Sequence, residues 1–181
     1  MPLSLSESAL TNTRWSTLQN IFRPLAPKGH VEPFFRFTAR GAIAGLGRDT
    51  FGNNLRLARH SSRVDGIFIN YFEIWLPVKS TPTFALEKAY FHLDAPLPDG
   101  LGDEEIFALH CDALAAHSEA SYVYKRGPHL HISGNKRDIS KSHIALCLSD
   151  LDRTCSDFDA YSSAFKRIIK MIDDELLPYL G

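Results

Sequence analysis

The sequence predicts an α+β fold, in which a mainly antiparallel sheet of about five or six strands is covered on one face by N- and C-terminal helices. Strand-like segments follow one another with short connections, and amphipathic helical patterns precede and follow them. Neighbouring strands with short connections pair antiparallel. We therefore expect one sheet with both terminal helices on the same face, in a single domain of residues 1–181.

The N-terminal helix is predicted for about residues 6–23. Trp15, Leu18 and Phe22 recur there at helical spacing, and Pro24 ends the pattern. A helix with one apolar face needs a larger surface to dock on. The sheet can supply that surface.

A loop-rich basic segment is predicted for residues 38–63. Its four glycines indicate turns or mobile backbone. Their spacing matches neither the Walker phosphate loop nor the GxGxxG dinucleotide loop. The segment is therefore interpreted as a connection and not as a nucleotide-binding motif.

The sheet is predicted for about residues 66–148. The run GIFINYFEIWLPV at residues 66–78 is aromatic or β-branched almost throughout and is apolar on both faces, which is typical of a central strand. Residues 104–112 fit either a strand or the start of a helix, and a helix would take His110 out of the sheet. The further strands are predicted, in order, at residues 84–93, 105–111, 122–132 and 141–148.

The C-terminal helix is predicted for about residues 156–177. Ser156 and Asp159 resemble a capping box at its start. Apolar residues then form one continuous stripe from Phe158 to Leu176. This stripe indicates a helix that packs on the sheet.

The composition is that of a globular protein, with 44% hydrophobic and 23% charged residues. No apolar run approaches the roughly 20 residues of a membrane-spanning helix, and the N-terminus lacks the pattern of a secretory signal. The three cysteines, Cys111, Cys147 and Cys155, are odd in number and lack CxxC spacing, which argues against a disulfide framework. We expect a cytoplasmic protein that does not associate with a membrane.

Charges are segregated along the chain. Residues 34–63 hold six arginines against Asp49 alone, and residues 120–148 hold five basic residues against Asp138 alone. Residues 94–119 between them carry seven acids and neither Lys nor Arg. The basic blocks could form a groove for a polyanion such as RNA or a nucleotide, or they could be neutralised by the acidic block.

Strand alternation predicts that five histidines share one face of the sheet. His129 and His131 are two residues apart, so they project to one side while Leu130 takes the other. We call the side of the sheet that carries these histidines the histidine face, and expect it to lie opposite the helices. Alternation in the other segments adds three more members to it, which are His92, His110 and His143.

A zinc-type metal site is one interpretation of this face. Imidazole and carboxylate groups suit Zn²⁺, and a catalytic zinc keeps one position open for the water that it activates. A metal-dependent hydrolase would follow, although no HExxH motif accompanies the histidines. His129 and His131 would supply two ligands, and His110, Asp112 or His92 the remainder.

Metal-free acid–base chemistry is a second interpretation, with RNA or a nucleotide as the substrate of a phosphodiesterase or nuclease. Two histidines can serve as base and acid while basic side chains bind the phosphate oxygens. The candidate catalytic residues are His129, His131 and His143. The candidate phosphate-binding residues are Lys125, Arg126, Lys136 and Arg137.

A binding or interaction module is the third interpretation, and the sequence favours it. Histidines often lie half-buried on strands with their ring nitrogens satisfied by neighbours. A wide histidine-rich face can bind a partner protein or a second copy of the chain. The first prediction is therefore a binding module with a histidine-lined face. Its cofactor is unknown, and zinc is the candidate that the metal-site interpretation supplies.

Overall fold

The computed structural model describes residues 3–29, 31–46, 60–113, 125–132, 142–146 and 151–180. These residues form one antiparallel sheet of nine strands with helices near both chain ends. The predicted α+β class is confirmed, and the sheet has more strands than the five or six expected.

Seven strands form the main path of the sheet, in the order β2-β3-β5-β6-β7-β8-β9. Two short strands lie off this path, since β1 pairs with β6 and β4 pairs with β5. All these pairings are antiparallel. The strands are β1 Ser4–Ser6, β2 Pro33–Thr38, β3 Gly41–Leu46, β4 His60–Ser61, β5 Phe68–Pro77, β6 Thr83–Pro96, β7 Asp103–Cys111, β8 His129–Ile132 and β9 Ser142–Ala145.

Helices lie at both chain ends, close to where the sequence predicts them. The N-terminal one is a π-helical turn that runs into an α-helix, and the C-terminal one ends in a π-helical and a 3₁₀ turn. Asp157 caps the last α-helix by accepting a hydrogen bond from the Ala160 amide at 2.7 Å, so Ser156 is not the cap. The segments are Ala9–Arg14, α1 Trp15–Phe22, α2 Leu151–Thr154, α3 Phe158–Met171, Ile172–Leu176 and Leu177–Tyr179.

The segment 38–63, expected to be loop-rich, contains strand β3. The glycines had suggested turns, but Gly45 lies inside the strand. A Cβ atom there would meet Cε1 of Phe34 at 2.7 Å and the Tyr71 carbonyl oxygen at 2.9 Å. Glycine is thus required for close packing and not for a turn. Residues 47–59 of this segment lie outside the described residues.

Strand β7 settles whether residues 104–112 are helical. Asp103–Cys111 pairs with β6 over most of its length, so His110 belongs to the sheet. Leu109 and Cys111 are buried beneath the helices. His110 therefore projects to the opposite face.

The covered face, which is the side of the sheet that carries the helices, is built on packed aromatic rings. Phe22 of α1 lies 4.6 Å from Tyr71 of β5 and 6.0 Å from Phe165 of α3, between ring centroids. All three side chains are fully buried. Burial of each such side chain contributes about 1.5–3 kcal/mol, so this cluster fixes both helices on the sheet.

The covered face also contains a fully buried ion pair between Arg14 and Glu73. The Arg14 Nε atom donates to Glu73 Oε1 at 3.0 Å, and Trp75 Nε1 donates to Glu73 Oε2 at 2.9 Å. Burial opposes the charge on Arg14, but the Glu73 carboxylate together with Tyr71 and Tyr161 raises the Arg14 pKa. The pair ties the N-terminal helical segment to the centre of the sheet.

Candidate functional site: the histidine face

One row of directly opposed residues crosses six strands of the histidine face. Paired residues of antiparallel strands project to the same side, so their rings stand next to one another. From β2 to β8 the row reads Phe34, Gly45, Phe72, Tyr90, His110 and His129. The neighbouring row reads Asn70, His92, Ala108, His131 and, by backbone register, His143.

His92 and His110 face each other across β6 and β7. Their Nε2 atoms are 3.2 Å apart, and their ring centroids are 5.0 Å apart. On the far side of the His92 ring, Nδ1 lies 2.7 Å from Oε2 of Glu105. The side chains of His92 and Glu105 are 23% and 32% exposed, so solvent and small solutes can reach the group.

A β-bulge brings Glu105 to this position. Strict alternation would place Glu105 on the covered face with Phe107, since the two residues are two apart. The register shifts between the pairs Leu93–Phe107 and Asp94–Glu105, so one residue of β7 is left without a partner in β6. The shift moves the Glu105 carboxylate to the histidine face, where it meets His92.

The His110 ring is stacked between two other rings. Tyr90 lies 4.1 Å from it at an interplanar angle of 20°, and His131 lies 4.8 Å from it at 22°. The Tyr90 hydroxyl donates to Asp112 Oδ1 at 2.8 Å. Burial and this hydrogen bond raise the Tyr90 pKa, so the phenol stays protonated. The stack holds the orientation of the His110 ring.

His129 belongs to the same face but is fully buried. Its Nδ1 lies 2.9 Å from the Gly127 carbonyl oxygen, which can only accept a hydrogen bond. The neutral ring therefore carries its proton on Nδ1 and its lone pair on Nε2. His92 has the same tautomer, because the Glu105 carboxylate accepts from its Nδ1.

The predicted zinc ligands are only partly brought together. His129 and His131 lie within 6.0 Å of His110 between ring centroids, whereas Asp112 is engaged by the Tyr90 hydroxyl. In the part of the chain that the structure describes, no group of three His, Cys, Asp or Glu side chains is placed to hold a metal ion. The Nε2 atoms of His110 and His92, in contrast, lie 3.2 Å apart.

The predicted phosphate-binding residues are described only in part. The Lys125 carbonyl accepts from the Asp112 amide at 2.8 Å, and the Arg126 carbonyl accepts from the buried Cys111 thiol at 3.1 Å. These contacts fix the backbone that enters β8 beside β7. Lys136 and Arg137 lie outside the described residues, and His143 is placed only by its backbone position opposite His131.

Asp94 is the buried carboxylate of this face, at 8% exposure. Its Oδ2 atom accepts a hydrogen bond from the amide nitrogen of Asn70. Burial raises the Asp94 pKa, and the Asn70 hydrogen bond and nearby His92 oppose that rise only in part. Asp94 is two residues from His92 on β6 and therefore lies beside it on the same face.

Comparison with known protein-family models, with curated proteins and with solved structures finds no match for this chain. Among the described residues, no helix is long and apolar enough to cross a membrane. The interpretation of the histidine face therefore depends on its own geometry.

Proposed function

We propose that the chain is a metal-binding module that holds a divalent ion of the zinc type between the Nε2 atoms of His92 and His110. The 3.2 Å separation of these atoms is the observation that carries the proposal. Two nitrogens bound to zinc at about 2.0–2.1 Å and at a tetrahedral angle are about 3.3 Å apart. The pair thus has the spacing of two zinc ligands, and without metal the same spacing accommodates an N–H···N hydrogen bond.

Glu105 supports the same assignment. Metal-binding histidines usually donate their second ring N–H to a carboxylate or a carbonyl, which fixes the tautomer and raises the basicity of the ligating nitrogen. The contact of Glu105 with His92 Nδ1 has this geometry at 2.7 Å. It directs the His92 lone pair towards His110.

Two protein ligands leave two positions of a tetrahedral ion for water or for groups of a bound ligand. The pair is half-exposed, so such a ligand can reach the ion. A metal with open positions is also what hydrolysis would require. The zinc-dependent hydrolase predicted from the sequence stays a prediction that builds on this site.

Metal-free acid–base catalysis by this pair is less favoured. A base and an acid must stand on either side of the reacting group. Here the two Nε2 atoms face each other at 3.2 Å, which leaves no room for a substrate atom between them. A metal ion does not need that space, because at a tetrahedral angle it would lie to one side of the line between the two nitrogens, about 2.0–2.1 Å from each. The catalytic roles of His129, His131 and His143 remain predictions, as do a cytoplasmic location, a protein partner and self-association.

The proposal is tested by calorimetric titration of the purified, EDTA-treated protein with zinc. We expect one ion per chain in the wild type. In His92→Ala and His110→Ala, the affinity should fall by more than about 100-fold, since losing an outer-shell partner alone costs about 10–100-fold. Zinc should also raise the midpoint of urea unfolding in the wild type and not in these variants.

His60→Ala is the matched control, because His60 lies on the short strand β4 and contacts the Ser61 carbonyl. Its zinc affinity should equal that of the wild type. His131→Ala tests whether the stacked histidine is a further ligand. No zinc binding by the wild type, or equal binding by His92→Ala, would refute the proposal.

A further inference from the structure

The histidine face continues into an aromatic half, which comprises Phe34, Phe72 and Tyr90. These rings occupy successive positions of the row that leads to His110, with only Gly45 between the first two. All three side chains are half-buried. Because Gly45 has no Cβ, the Phe34 ring can lie against β3, with its Cε1 atom 2.7 Å from where a Cβ of residue 45 would be. Phe72 and Tyr90 are in ring contact, at 5.2 Å between centroids, and this half-buried strip is accessible to a planar ligand.

Positive charge flanks this strip on one side. Lys88 Nζ lies 5.8 Å from the centroid of the Tyr90 ring, a cation–π distance. Exposed Arg36 lies in the same flanking row, separated from Lys88 by Ile43 and Ile74. Rings beside cations are the two features that proteins combine to bind bases and phosphates of single-stranded nucleic acid.

We propose that the aromatic half binds a nucleobase that carries a phosphate, with the base packed on Phe72 and Tyr90 and the phosphate near Lys88. The shared chemistry fits a free nucleotide and single-stranded RNA. Neighbouring strands are about 4.8 Å apart, so Phe72 lies only about 10 Å from His110. A ligand held here would lie beside the histidine pair. Binding to the aromatic half does not require the metal.

The experiment measures binding in EDTA, so that it does not depend on zinc. Labelled oligoadenylate RNA is titrated by fluorescence anisotropy, and AMP by saturation-transfer NMR. We expect at least one of the two to bind, and Phe72→Leu to weaken that binding by roughly fivefold or more, because it removes a stacking ring but keeps apolar volume. Lys88→Met should lower the slope of RNA affinity against salt concentration by about one charge.

Two variants serve as matched controls. Phe84→Leu removes a half-buried ring that packs on Phe37, away from the strip. Lys166→Met removes an exposed charge from α3. Both should bind as the wild type does. Phe72→Met, which also removes the ring, replaces Phe72→Leu if the latter fails to fold by circular dichroism.

The outcomes are distinct. Binding of RNA alone identifies nucleic acid, and binding of AMP alone identifies a nucleotide. Binding of neither, or binding that the folded ring variants leave unchanged, overturns the proposal. A dimer that Phe72→Leu dissociates, without ligand binding, would assign the aromatic half to self-association instead. A zinc titration on the same samples separates these results from the metal proposal.

Discussion

The two faces of the sheet each carry a glutamate that accepts a hydrogen bond from a cationic or titratable partner, but in opposite environments. Glu73 and its partner Arg14 are fully buried under the helices. Glu105 and its partner His92 are 32% and 23% exposed on the histidine face. Because the first pair is buried, removing either partner would leave an uncompensated charge inside the protein and destabilise the fold. Because the second pair is partly exposed, its loss should change the unfolding free energy little, and solutes can reach it.

The same substitution on the two faces should therefore separate stability from metal binding. Glu73→Gln leaves the Arg14 guanidinium buried without its counter-charge, which costs about 3–5 kcal/mol of unfolding free energy. Urea unfolding measures this loss. Adding Arg14→Met should recover part of it. If Glu73→Gln unfolded at the wild-type urea concentration, the covered pair would have no structural role.

Glu105→Gln should show the opposite pattern. Its unfolding free energy should change by less than about 1 kcal/mol, because the pair is partly exposed. Its zinc affinity should fall by about 10–100-fold, or about 1.4–2.7 kcal/mol, because the neutral amide no longer raises the basicity of His92. Calorimetry on this variant and on Glu73→Gln checks the contrast. If Glu105→Gln bound zinc as tightly as the wild type, Glu105 would have no role in zinc binding.

The smallest effect on stability is expected for a substitution of Asp94, a buried carboxylate on the same face as the partly exposed Glu105. Its raised pKa means that the protonated form favours the folded state, so this stabilisation is present at low pH and is lost as the pH rises above about 3.9 and through the raised pKa. Asp94→Asn does not titrate and still offers an oxygen to Asn70. Its stability relative to wild type should therefore increase with pH across that window.

The Asp94→Asn effect should be the smallest of the three, because the Asn70 hydrogen bond and the nearby His92 offset part of the cost of burying the carboxylate. Urea unfolding of both proteins at several pH values measures it. A difference in stability that is constant across acidic and neutral pH would contradict the raised pKa.

Residue patterns predict most of the sheet and the terminal helices. Alternation is reliable wherever a strand keeps its register, and it places His92, His110, His129 and His131 on one face for that reason. The stripe of the C-terminal helix is likewise a local pattern. The shared histidine face and the helical stripe follow from the spacing of residue types along the chain, which can be read from the sequence itself.

Three features depended on tertiary packing and could not be predicted in this way. Strand β3 was not predicted because its glycines suggested turns, whereas Gly45 allows the close packing of Phe34 on the strand. The Arg14–Glu73 pair joins residues 59 positions apart, so no local pattern indicates it. Glu105 reaches His92 only because a bulge reverses its face. A sequence count of alternating residues places it on the wrong side.

The central claim is that His92 and His110 bind one metal ion through their Nε2 atoms. Long-range proton–nitrogen NMR of the imidazole rings, recorded with and without zinc, tests it most directly. We predict that one equivalent of zinc shifts the Nε2 resonances of both histidines and leaves those of His60 unchanged. If zinc left the Nε2 resonances of His92 and His110 unshifted, or shifted only those of other histidines, the proposed metal site would be refuted.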